Sequence, residues 1–113
     1  MKRNSLDLAS PDLLRRSHAL GRAVSDARLA RNMTRQDFSE RANISPSTLV
    51  RIEKGDVSVS LLSWLQAMER AGLLGLLEPV AQPQNDPVGE VRRQGEARRR
   101  ARRSGSATDE YDF

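Results

Sequence analysis

Thr34-Arg35-Gln36-Asp37-Phe38-Ser39-Glu40-Arg41-Ala42-Asn43-Ile44-Ser45-Pro46-Ser47-Thr48-Leu49-Val50-Arg51-Ile52-Glu53-Lys54-Gly55 is the stretch whose reading decides the fold. Thr34 is a good N-cap, and Asp37 completes a capping box with the shorter acid. Met33 before the cap and Phe38 after it are spaced as a hydrophobic staple. Ser45 repeats the arrangement: Pro46 takes the first helical position, where its missing N–H is harmless, and Ile44 faces Leu49. Asn43 between them tolerates the left-handed conformation that ends a helix. The stretch predicts two short helices, over 35–42 and 46–53, joined by a tight polar turn and closed by Gly55.

Working outward, residues 11–32 place Leu13, Leu14, Leu20, Val24, Ala27 and Leu29 on an apolar stripe, which predicts a longer first helix. Gly21 sits inside it and costs up to about 1 kcal/mol against alanine, so it implies a break or a close helix contact. After a short extended link, Val59, Ser60 and Trp64 form a third staple. A fourth helix is expected over 61–71, carrying Leu61, Leu62, Trp64, Leu65, Met68 and Ala71, with Gly72 as its stop. Trp64 is expected as a core anchor. Leu73, Leu74, Leu76 and Leu77 then read as a short fifth helix broken by Pro79 and too apolar for a monomer's surface, which points to a homodimer contact, the alternative being that it closes the bottom of a small core.

The expected organisation is all-α. An N-terminal arm covers 1–10, a five-helix domain 11–80, and a flexible region 81–113. That region holds a linker (Gln82 to Pro87), an arginine-rich segment and an acidic tail. Residues 92–103 carry seven arginines and no apolar face, so the run is expected to be disordered or only transiently helical.

Composition narrows the function. The chain has 113 residues and a net charge of +4, and only Lys2 and Lys54 of its 19 basic residues are lysines. Arginine grips phosphate and guanine bidentately, so a polyanionic partner is favoured. There is no cysteine, no apolar run approaching the roughly 18 residues of a membrane span, and no secretion signal. A cytoplasmic protein without membrane attachment is expected. An enzyme is disfavoured: there is one histidine, no glycine-rich phosphate loop and no acidic pair beside a nucleophile. His18 has no second ligand near it, and neither metal nor cofactor is expected.

By Gly55 the chain resembles the Xre, or lambda-repressor-like, helix-turn-helix family. The resemblance is carried by Leu20-Gly21, Arg28, Thr34, Ile44-Ser45, Ser47-Thr48, Arg51-Ile52-Glu53, Gly55, Ser60-Leu61 and Gly72. It implies a compact helical domain that binds double-stranded DNA with its third helix in the major groove. Two positions depart from the family pattern. Arg35 stands where a phosphate-anchoring glutamine is usual, with Gln36 next, and Pro46 occupies the first reading position.

Base reading therefore falls to Ser47, Thr48 and Arg51, with Pro46 able at most to meet a thymine methyl. Arg51 leads, because its fork matches guanine O6 and N7. Thr34, Arg35, Gln36, Ser45 and Lys54 lie at the rim and are expected on phosphates. The resemblance also implies an ion pair inside the domain between Arg28 and Glu53. The whole chain resembles HipB-type antitoxins, which repress their own operons and bind a HipA-type kinase toxin. That implies a dimeric repressor on a palindromic operator with a toxin partner. A stand-alone phage-type repressor, and a protein-binding module that does not read DNA, remain open alternatives.

Overall fold

The computed structural model describes residues 8–103. Among these residues the regular structure is entirely helical: α1 (Pro11–Ala30), α2 (Arg35–Ala42), α3 (Pro46–Glu53), α4 (Leu61–Arg70) and α5 (Pro87–Arg103), with 3-10 segments at Leu74–Ala81 and Pro83–Asn85. The chain divides into two compact units, one ending at Leu76 and the other beginning at Leu77.

In the first unit each helix is delimited by its own neighbours. Ser10, Thr34, Ser45 and Ser60 accept the backbone N–H of Leu13, Asp37, Thr48 and Ser63 at 3.0–3.2 Å, satisfying a donor that the first turn would leave orphaned. The four ends are equally regular. Asn32, Asn43, Gly55 and Gly72 all have positive φ. Around them Met33, Ile44, Asp56 and Leu73 donate their N–H back to the carbonyls of Arg28, Ser39, Arg51 and Met68, the 6→1 closure of a helix by a left-handed residue.

α3 packs on α1, α2 and α4, and Val24, Phe38, Leu49, Ile52 and Ala67 are fully buried between them. Gly21 leaves α1 unbroken and brings it against the end of α3. A side chain there would strike Ile52 O and would meet Gly55 N at 2.8 Å and Glu53 O at 3.0 Å. Gly55 is confined in the same way by the His18 backbone, 2.6 Å from where its Cβ would be. Trp64 is buried and donates Nε1–H to Asp56 O at 3.1 Å.

Several expectations need correction. α1 stops at Ala30 because Asn32 adopts the left-handed conformation. The expected N-terminal arm does not reach residue 10, where Ser10 caps α1. Residues 1–7 of the expected arm and the acidic tail, 104–113, lie outside the described residues. Leu13 and Leu29 are exposed, as are Leu61 and Leu62, at 71% and 66%. The latter two occupy the first positions of α4, where the stripe that buries Trp64, Ala67 and Met68 has not yet turned inward.

The leucine-rich segment is a 3-10 segment that continues through Pro79, not a fifth α-helix. Gly75 lowers helix propensity and Pro79 supplies no N–H, so i→i+3 bonds such as Leu76 N to Leu73 O (3.0 Å) replace the α ladder. Leu73, Leu74 and Leu77 are half-buried and Leu76 is exposed.

The second unit holds the largest departure. The arginine run expected to be flexible belongs to a 17-residue helix, α5. Asp86 caps it, accepting Gly89 N–H at 3.1 Å, and Pro87 occupies the first helical position. Arg93 pairs with Glu90 at 3.2 Å and Arg99 with Glu96 at 2.9 Å, both one turn apart. Arg93 also donates to Pro83 O at 2.7 Å. Arginine and alanine are good helix formers, and the two glutamates relieve the like-charge repulsion along the run.

Candidate nucleic-acid interface

α3 presents Ser45, Pro46, Ser47 and Arg51 as exposed residues, with Thr48 half-buried, on the side opposite Leu49 and Ile52. The spacing along this eight-residue helix gives the division: Leu49 and Ile52 are three apart and face inward, while Ser47 and Arg51 are four apart and face outward. The hydroxyls form a local cluster. Ser45 Oγ accepts Thr48 N–H at 3.1 Å and lies 2.8 Å from Thr48 Oγ1 and 3.1 Å from Ser47 Oγ. Thr34 Oγ1 is engaged with Asp37 N–H at 3.0 Å, and Gln36 Nε2 donates to Glu40 at 2.8 Å. Lys54 is exposed at the C-cap of α3.

Glu53 joins three elements. Arg28 Nε and Nη2 donate to its two oxygens at 2.7 and 3.3 Å, and Arg28 Nη1 donates to Met33 O at 2.9 Å. The Glu53 side chain is only 5% exposed. Arg35, expected on a phosphate, donates Nε–H to Glu53 Oε1 at 2.9 Å while its side chain stays 52% exposed. It thereby ties the start of α2 to the end of α3. The long separation in sequence between Arg35 and Glu53 hid this contact.

Arg51 is half-exposed, and its Nε and Nη2 donate to Asp56 Oδ2 (2.9 Å) and Ser58 Oγ (2.8 Å). Sequence reading singled out neither partner. The available signal was an Asp-x-Ser turn directly after a left-handed glycine, in which Asp56 Oδ1 accepts Ser58 N–H at 2.9 Å. The Ser58 hydroxyl and N–H, then the Arg51 guanidinium, hold the Asp56 carboxyl down to about 2 from 3.8.

Residues 24–69 match the helix-turn-helix family model. The matched segment runs from the second half of α1 through nearly all of α4, so it contains α2, the Asn43 turn and α3. No curated protein and no solved structure matches the chain. The match suggests a DNA-binding transcription regulator, and the helix-turn-helix segment holds every residue described above for this interface. Among the described residues, no group of three or more His, Cys, Asp or Glu could hold a metal ion, and no helix is long and apolar enough to cross a membrane.

Proposed function

We propose that this protein is a sequence-specific transcriptional repressor that lays the N-terminal end of α3 in the major groove of double-stranded DNA. The observation that carries the reading is an exposed Ser45–Thr48 turn with Arg51 one turn on, mounted on a helix anchored through Glu53 to Arg28 and Arg35. Ser47, Thr48 and Arg51 read bases, with Pro46 against a thymine methyl at most. Thr34, Gln36, Ser45, Lys54 and the exposed half of Arg35 meet phosphates. α5 adds sequence-independent attraction to the same polyanion.

The repressor is a homodimer joined through Leu73, Leu74, Leu76 and Leu77, on a palindrome with half-sites about 10 base pairs apart or a multiple of that. Its resemblance to HipB-type antitoxins supports the finer reading of an autoregulating antitoxin that binds a HipA-type kinase toxin. A gel shift on the DNA upstream of its own gene tests the repressor. Retarded bands at low salt are expected, and a folded protein that shifts nothing ends the proposal.

One observation favours a second reading, a protein-binding module on the same scaffold: exposed Pro46 stands at the first reading position of α3 and has no N–H to offer a base edge. Arg51→Ala separates the two. It costs about 1–3 kcal/mol of DNA affinity and relaxes one base pair if α3 reads DNA, and changes nothing in partner binding or cellular activity if it does not.

A further inference from the structure

Arg51 is the side chain on which base reading depends most, and it is held before any DNA arrives. Nε–H donates to Asp56 Oδ2 and Nη2–H to Ser58 Oγ. The support beneath is continuous. Asp56 Oδ1 accepts the Ser58 N–H at 2.9 Å and its hydroxyl at 2.6 Å, so Ser58 relays between carboxylate and guanidinium. The Asp56 carbonyl accepts the indole N–H of buried Trp64, and the Asp56 N–H donates to Arg51 O at 3.0 Å. The turn carrying the acid is thus pinned to the core and to the last turn of α3.

The guanidinium is a planar fork of N–H donors in fixed directions. Asp56 and Ser58 accept from Nε and Nη2, the two nitrogens of the side-on edge. The end-on edge, Nη1 with the outer hydrogen of Nη2, meets no acceptor among the described residues. Two parallel N–H groups on that edge match the O6 and N7 acceptors of a guanine. A loose arginine loses rotamer freedom when it binds, whereas this one is ordered beforehand. The paired carboxylate also offsets the charge of Arg51 and makes it a poorer clamp for phosphate, which carries no sequence information.

We propose that Asp56, with Ser58 as its relay, is a specificity-determining positioning residue that presents the Nη1–Nη2 edge of Arg51 to one guanine and discourages its use on the DNA backbone. The inference rests on the DNA-reading function proposed above. The test selects duplexes from a base-randomised pool with the full chain. Fluorescence anisotropy at one fixed salt concentration then compares the selected duplex, its single-pair variants and an unrelated duplex.

If the native chain enriches no sequence, the DNA-reading function itself fails and this inference falls with it. With enrichment, Arg51→Ala identifies the G·C pair that Arg51 reads. Asp56→Ala is expected to lower preference at that pair about tenfold while leaving affinity for the unrelated duplex equal or stronger. Asp56→Asn and Ser58→Ala, which disturb the turn less, lower the same preference by smaller factors. Asp56→Ala adds nothing at that pair once Arg51 is already alanine. A purely structural Asp56 would weaken all duplexes together, following the thermal melt. That outcome, or native preference at the pair in every Asp56 and Ser58 variant, overturns the inference and leaves the repressor standing.

Discussion

Glu53 accepts from two arginines whose environments differ. Arg28 is buried with it, so Glu53→Ala strands a charge inside the domain and is expected to cost about 3–5 kcal/mol. Arg35 is half-exposed, and Arg35→Ala is expected to cost only about 0.2–1 kcal/mol. Urea unfolding of the two variants measures the contrast; equal losses would mean that burial does not set the energetics of this cluster. Asp56 makes a prediction in pH. Its folded-state pKa is depressed, so its contribution to stability is present above the unfolded value near 3.8 and is lost as pH falls through about 2. Asp56→Asn removes that acid-limb dependence, and Ser58→Ala, which deletes the largest cause, raises the Asp56 titration midpoint in a carboxyl NMR titration. Neither Arg35–Glu53 nor Arg51–Asp56 was readable from spacing, because Arg35 reaches Glu53 from a different helix and Arg51 reaches Asp56 around a left-handed glycine.

Gly21 shows at the level of an element how two local rules can compete. Alanine would raise the intrinsic helix propensity of α1 by up to about 1 kcal/mol. The added methyl, however, collides with backbone at Ile52 and Gly55, which cannot give way as a flexible side chain can. Gly21→Ala is therefore expected to destabilise the protein by about 1–3 kcal/mol. A rise in melting temperature would contradict the close α1–α3 packing. The limits of α2 and α3 were legible residue by residue, since Thr34, Asn43, Ser45 and Pro46 act on backbone groups within one turn. α5 was not, because its run has no apolar face and rests on propensity, a cap and i,i+3 pairs, none of which leaves a periodic apolar signal. Asp86→Ala removes its cap and is expected to cost about 0.5–2 kcal/mol of helix stability. Faster hydrogen exchange at the first amides of α5 in the full chain checks this.

Charge and apolar surface set what is expected of the molecule as a whole. Replacing Arg98, Arg99 and Arg102 by glutamine should flatten the logarithmic salt dependence of DNA binding by about 0.9 for each phosphate no longer neutralised, without moving the preferred sequence. An unchanged slope would remove α5 from the interface. Leu76 is 71% exposed, so Leu76→Glu should leave the protomer's melting temperature unaltered while sedimentation equilibrium reports dissociation of the proposed dimer. The caps at Thr34, Ser45 and Ser60, the arginine-weighted charge and the outward Ser47–Arg51 face were written in the chain, because each depends on residues a few positions apart or on simple sums of charge. Packing settled which leucines are covered, why α1 needs Gly21, that Glu53 serves Arg35 as well as Arg28, and that Asp56 holds Arg51. Those pairings join segments distant in sequence or around a turn, and no periodicity encodes the distance at which two such segments meet.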